Sequence, residues 1–355
     1  MVGDWHSELH EQAVFEALRK LGHEVVAFPW FQYFRPCAGR LFWLDSLLKR
    51  AQNKYLVGPL VSHINRDVVA VAASEQPELV FVYRGTHILP DTLRKIRKVS
   101  PLAVIVGYNN DDPFAPNQFH RLFKHFLNGV PDYDLLFAYR HHNLEDFKHA
   151  GAKRVQMMRS WFIPERNFPA NLNMDEVRDY GCDVVFVGHH EDDGRVELLE
   201  NIVRRGWKLR LFGPAYGWDQ VIRHSSELWP LLPVKAVWGA EYNKAICGAK
   251  IALCFFSKLN RDTYTRRCFE IPATKTMMLS EYSSDLAGLY REGEEAEFFR
   301  NKDEMVRKIE HYLANDAQRE AVAAAGWRRV QTDGHDVVSR MREMLEQVEN
   351  IGTGG

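Results

Sequence analysis

The chain has 355 residues, with 46 Lys plus Arg against 47 Asp plus Glu and a formal net charge of -1. Hydrophobic residues make up 46% and charged residues 26%, an ordinary globular balance that speaks against global disorder. The even charge gives no support to a general nucleic-acid binder, and at roughly 100–200 residues per domain the length suggests two domains.

The N-terminus, MVGDWHSELHE, lacks the basic and apolar regions of a signal peptide. No apolar run reaches the about 18–20 residues that a spanning helix needs. The cysteines, Cys37, Cys182, Cys247, Cys254 and Cys268, are scattered, odd in number and free of any C-x-x-C pair. That pattern argues against a disulfide framework or a structural zinc site. A reducing, cytoplasmic location is expected.

In chain order, the first strand is only Met1-Val2, either a stub or a sign that the native start lies upstream. Residues Ser7 to Leu21 place Leu9, Ala13, Ala17, Leu18 and Leu21 on one helical face, with Ser7 as N-cap and Gly22 past the end. Apolar strand candidates follow at 24–28, 78–83, 103–108, 134–139 and 154–158. Helical patterns at 61–75, 90–99 and 143–150 fall between them. Residues 161–180 carry two prolines and three asparagines with no clear period, and read as a connection. Strands then resume at 182–188, 208–213, 235–239, 251–256 and 277–282, with helices near 194–205, 240–248 and 266–274. The end is helical at 302–314, 316–332 and 335–349, and closes on a frayed Gly-Thr-Gly-Gly. Continuous apolar strands separated by helices predict parallel sheets covered on both faces. The expected organisation is a domain over 1–165, a linker over 166–180, a second domain over 181–334, and a C-terminal helix at 335–355 that packs back on the first domain.

Ligands of open parallel sheets bind beyond the C-terminal strand ends. The richest such loop is 256–282, FSKLNRDTYTRRCFEIPATKTMMLSEY. Lys258, Arg261, Arg266 and Arg267 supply four cations, Asp262 and Glu270 two carboxylates, and a helix opens near Arg266 with its positive end. Cations on phosphate and a carboxylate on ribose hydroxyls would hold a nucleotide diphosphate; a solvated basic loop is the other reading.

The pieces R-C-F-E-I-P-A-T at 267–274, L-S-E-Y at 279–282, G-E-E-A-E-F-F at 293–299, D-E-M-V-R-K-I at 303–309, Y-L-A-N-D-A-Q-R-E at 312–320, A-A-A-G-W-R-R-V at 323–330 and G-H-D-V-V-S-R at 334–340 form a long ordered run. This run resembles the C-terminal module of the spore-maturation (CgeB-like) branch of GT-B glycosyltransferases, within the group 1 type. F-V-G at 186–188 and E-Y-N-K-A-I at 241–246 extend the likeness and bring in Tyr242. The resemblance implies an α/β GT-B fold, two Rossmann-like doubly wound domains facing a cleft, with a nucleotide-sugar donor on the second domain. It places Glu270 on the nucleotide ribose, Asp262 at the donor-sugar position as a shorter acid, and Arg267 beside the diphosphate. Thr274 and Lys275 stand where relatives carry a small residue and a glycine, so the Lys275 backbone avoids positive φ or its amine reaches the phosphates. The implied reaction is a metal-independent, retaining sugar transfer to a hydroxyl in glycan or polysaccharide synthesis, without a cofactor. A nucleotide-sugar epimerase and a non-catalytic sugar binder share the architecture.

In the loop FVGHHEDDGR at 186–195, Gly188 permits close backbone approach, His189 and Arg195 take structural or phosphate-contacting roles, and the tandem spacing of His189, His190 and the acids is poor for a single ion. His6 and His10 are spaced i, i+4, but no zincin glutamate accompanies them. His6, with Asp4, is expected on the acceptor side. Asp112 is either a turn and cap residue or a carboxylate that positions an acceptor hydroxyl. Arg84 and Arg140 either grip an acceptor or form ion pairs. The aromatic and basic stretch 28–57 is a flap over the acceptor, a patch touching a membrane surface, or a packed excursion. Arg267, Lys258, Asp112 and His6 are therefore the expected catalytic set. The expected partners are a nucleotide-sugar donor and a glycan, lipid-linked or protein acceptor, with no nucleic acid.

Overall fold

The structure is a computed structural model that describes residues 1–36, 42–116 and 120–352. Cys37 and the last three residues of the Gly-Thr-Gly-Gly tail lie outside these. The chain divides into two compact units, Met1–Arg159 with Val337–Gly355, and Ser160–Asp336.

The first unit holds β1 (Val2–Gly3), β2 (Phe28–Pro29), β3 (Leu79–Tyr83), β4 (Val104–Asn109), β5 (Leu135–Ala138) and β6 (Val155–Met157) in the order β2-β1-β3-β4-β5-β6. Every described pairing is parallel, as between Val106 and Leu135. The second unit holds β7 (Cys182–Val187), β8 (Leu209–Phe212), β9 (Ala249–Cys254), β10 (Met277–Glu281) and β11 (Glu297–Phe299) in the order β11-β10-β9-β7-β8, again parallel. The central strands are apolar along their length because helices cover both faces. Val80, Val82, Ile105 and Leu136 belong to the core of the first sheet, and Val184, Phe186, Ile251 and Leu253 to that of the second.

These two parallel α/β sheets are the fold expected from the strand pattern. Three local expectations change. The strand expected at 24–28 shrinks to β2, an edge pair. The one expected at 235–239 contributes only a bridge from Lys235 to Phe212. Residues 161–180 are no free linker. Trp161, Phe162 and Ile163 are buried, Phe168 exchanges two hydrogen bonds with Asn243, and the helix Met174–Tyr180 starts at a capping box of Asn173 and Glu176. The unit boundary therefore falls at Arg159, not near 165. The helix Val337–Gly352 packs on the helix Glu11–Lys20 within the first unit. Among the described residues, no helix is long and apolar enough to cross a membrane.

Candidate functional site

In the second unit the site is built where β7 and β8 end. Gly188 follows β7, and its carbonyl accepts from Trp218 Nε1 at 2.8 Å. A Cβ on Gly213, just after β8, would stand 2.2 Å from that carbonyl, so a glycine is required at 213 for the two loops to meet. A Cβ on Gly188 would stand 3.3 Å from Arg267 Nη2. The Arg267 guanidinium thus covers the floor made by Gly188.

Arg267 opens the seven-residue helix Arg267–Ala273, and its Nε is buried with no hydrogen-bond partner among the described residues. Burial opposes its charge, but Cys254, Tyr242 and Glu270 outweigh that and raise its pKa. A permanently charged guanidinium with an unused buried donor fits an anionic ligand. One turn on, Glu270 is buried and accepts from Tyr242 Oη at 2.7 Å. Burial, then the neighbouring Arg267 charge, lowers the His189 pKa and favours the neutral ring. Pro272 removes the backbone donor that would have served the Cys268 carbonyl; the Tyr290 hydroxyl takes its place at 2.8 Å.

The structure therefore brings together Gly188, His189, Arg267, Glu270 and Tyr242. It assigns other work to the rest of the expected set. Arg195 does not reach toward phosphate. It is buried, forks onto Asp193 at 2.8 and 2.6 Å, and donates to the His189 and Phe256 carbonyls, bracing the loop from within. Thr274 is a buried cap whose hydroxyl donates to the Ile271 carbonyl at 2.7 Å. Lys275 adopts φ 59°, taking the left-handed conformation of the glycine it replaces, and its side chain is exposed. Lys258 is exposed and paired with Glu281 at 3.0 Å, a contact worth little in water. Asp262 closes its own loop, its N–H donating to the Ser257 carbonyl at 2.8 Å. Arg266 lies over Trp161, 5.8 Å from the ring centroid. The helix start is not an open anion site either, because Thr265 Oγ1 accepts from the Arg267 N–H at 3.2 Å. The acids beside His189 and His190 are likewise engaged, Glu191 by the Lys258 backbone and Asp193 by Arg195.

The first unit has a cavity of about 380 Å³ beyond its own strand ends, lined among others by Asp4, His6, Trp30, Phe34, Arg84 and His87. Trp5 and Arg84 sit at φ 65°, a strained conformation for residues other than glycine. His6 Nδ1 pairs with Asp4 at 2.9 Å, and that hydrogen bond raises the His6 pKa. Arg84 pairs with Asp111 at 2.6 Å.

Sequence reasoning missed two groups here. Glu11 is fully buried behind β1, where it accepts from the Asp4 N–H and leaves room only for Gly3, whose Cβ would stand 2.5 Å from Glu11 Cγ. His87 stacks on Trp30 at 3.9 Å; burial pulls its pKa to about 4, and its Nε2 has no partner among the described residues. Its place three residues after Arg84, beyond a strand end, was the available signal.

Asp112, by contrast, is a structural node. It is fully buried and holds His142 at 3.1 Å, Asn143 at 2.9 Å and the Phe114 N–H at 3.0 Å. Asp112, His142 and Asp146 bring metal-ligating atoms within 4.8 Å of one another, but Asn143 already bonds both carboxylates. Arg140 is buried and donates to the Asn110 carbonyl. His10 pairs with Tyr83 Oη at 3.1 Å, so His6 and His10 do not converge on an ion.

Two parallel α/β units, the second with a glycine floor, a half-buried arginine and a buried glutamate, define a GT-B architecture. Residues 195–346 match the family model described as glycosyl transferase-like. Among solved structures, HepE of Anabaena in complex with UDP matches with a TM-score of 0.66 and 12% identity, covering 98% of each chain. A glycosyltransferase from Rickettsia africae matches with a TM-score of 0.67 and 12% identity, over 100% of this chain and 98% of that one. Sucrose-phosphate synthase of Thermosynechococcus elongatus matches at 0.65 and 12%, over 96% and 92%. At such identities the likeness is one of fold. No curated protein matches the chain in sequence.

Proposed function

We propose that the protein is a glycosyltransferase that moves a sugar from a nucleoside diphosphate to a hydroxyl acceptor. The observation that carries this reading is Arg267, held charged beside Gly188 with a buried donor unused. The acceptor oxygen bonds to the anomeric carbon. The bond from that carbon to the diphosphate breaks, its electron pair leaves on the diphosphate, and the hydroxyl proton is released. Arg267 stabilises the leaving charge, and Glu270 takes the ribose hydroxyls. The reading extends to a metal-independent, retaining enzyme of the spore-maturation branch, because the ordered run 267–340 lies within the matched residues 195–346. The acceptor is then a glycan, a lipid-linked intermediate or a protein. Cytoplasmic work is proposed because the described cysteines, Cys182, Cys247, Cys254 and Cys268, are all free thiols.

Calorimetric titration of UDP, GDP, TDP, ADP and CDP tests the donor. UDP is the first choice, because HepE is known in complexes with UDP and with UDP-glucose. Selective binding of one nucleotide, weakened at least about tenfold in Glu270→Ala, is expected from the loss of a charged hydrogen bond. Binding of none would remove the donor assignment.

On the acceptor side, unprotonated His6 accepts a hydrogen bond from the attacking hydroxyl. Asp4 raises the His6 pKa, so kcat/KM is expected to rise with pH through a value above 6.5. In Asp4→Asn that rise moves to lower pH. A profile unchanged by the substitution would take His6 out of the reaction.

A further inference from the structure

The helix Phe42–Tyr55 is turned the wrong way for a surface helix. An ordinary one hides its apolar stripe and shows its polar side. Here Trp43, Leu44, Leu47 and Leu48, spaced i, i+1, i+4 and i+5, are exposed, Leu47 and Leu48 by 59% and 61%. The polar side faces the unit instead. Lys49 Nζ donates to the Arg35 carbonyl at 2.8 Å, and Gln52 Oε1 accepts from the Leu60 N–H at 2.9 Å.

The rim of the apolar stripe is cationic. Arg50 and Lys54 fall three and seven residues after Leu47, on its side of the helix, and both are exposed. Tyr55 and Val57 are exposed beyond them. Lys54 and Arg121 lie 5.7 and 5.4 Å from the Tyr55 ring centroid. The one acid of the helix, Asp45, is drawn back to Lys49 at 3.0 Å. Apolar side chains flanked by arginine, lysine and interfacial aromatics suit the headgroup boundary of an anionic bilayer, where cations meet lipid phosphate and leucines enter the acyl edge.

We propose that this face docks the first unit on an anionic lipid surface. Asn53 from the same helix and Leu122 from the helix His120–Gly129 line the cavity that holds His6 and His87. A docked helix therefore sets that cavity at the headgroups, and the acceptor it takes is lipid-linked. The acceptor clause rests on the glycosyl-transfer reading; the docking itself does not.

Vesicle flotation of the full chain tests the docking. The wild type is expected to float with phosphatidylcholine–phosphatidylglycerol vesicles and to stay behind with phosphatidylcholine alone, with binding that weakens as salt rises. The pair Leu47→Gln with Leu48→Gln is expected to bind roughly tenfold more weakly or worse. The pair Arg50→Gln with Lys54→Gln should lose roughly 30-fold, at the attraction each cation contributes near such a surface. All four side chains are exposed, so thermal unfolding and nucleotide titration should match the wild type, which separates this outcome from failure of the donor assignment. The proposal is overturned if the wild type ignores anionic vesicles or if the variants float equally well. It is also overturned if the wild type is a dimer that the leucine pair returns to monomer without any vesicle binding, because the face then meets a second copy.

Discussion

Arg267→Ala is expected to lower kcat by about 10²–10³, or ~3–4 kcal/mol of transition-state stabilisation, which is the usual cost of removing one preorganised donor. The charge that grows during sugar transfer lies on the departing diphosphate. A guanidinium already half-buried beside Gly188 meets that charge with little reorganisation. Burial alone would penalise such a cation. Glu270 favours its charge, and a guanidinium stays protonated in a protein in any case, so the arginine is in place as a cation before any ligand arrives. Arg267→Lys should recover little, because an ammonium lacks the planar fork and cannot place a donor where Nε lies. Steady-state turnover with the nucleotide sugar identified by titration checks this, together with thermal unfolding to show that the variants fold. Near-normal turnover in Arg267→Ala would remove the residue from the chemistry.

Much of this arrangement could be read before any coordinates, and the part that could not has a physical reason. Buried parallel strands announce themselves as apolar runs, so β3, β4, β5, β7, β9 and β10 lie where the pattern places them. Gly188 stands out as a close-approach glycine beyond a strand end, whereas Arg267, Glu270 and Tyr242 stand out through the resemblance of the ordered run and its extension at 241–246; their residue types alone leave a solvated basic loop open. Polar loop residues carry no such mark. Whether Arg195 faces a ligand or braces its own loop is decided by how that loop folds, which brings Asp193 and the His189 carbonyl onto its guanidinium. Asp112 is decided by His142 and Asn143, about 30 positions on, through bonds that only the packed sheet creates. His87 failed in the opposite direction. Nothing local separates it from an ordinary loop histidine, and its unpartnered Nε2 becomes visible only once Trp30 stacks on it. Edge strands were the weakest part of the fold reading. At an edge one side has no partner strand, so Lys235 makes a bridge and the sheet goes no further.

Gly213→Ala is expected to destabilise the protein by about 2–6 kcal/mol and to weaken nucleotide binding with it. The added Cβ would stand 2.2 Å from the Gly188 carbonyl and 2.7 Å from Trp218 Nε1, neither of which is the free end of a flexible chain. Overpacking of this kind costs about 1–3 kcal/mol. If the loops part to relieve it, the buried indole N–H of Trp218 loses its 2.8 Å bond to Gly188, at about 1–3 kcal/mol more. The same displacement moves Gly188 relative to Arg267, so a purely steric change beyond β8 reaches the proposed anion site. Gly217→Ala is the control. Its Cβ would meet only His190 Cβ, at 3.5 Å, and it lies inside the helix Ala215–Ile222, where alanine is favoured over glycine by about 0.5–1 kcal/mol. Urea unfolding of both variants, with nucleotide titration beside it, checks the pair. If Gly213→Ala behaves like Gly217→Ala, the contact between the two loops does not hold the site, and the close approach at Gly188 would have to be maintained by Arg195 and its bracing of the same loop.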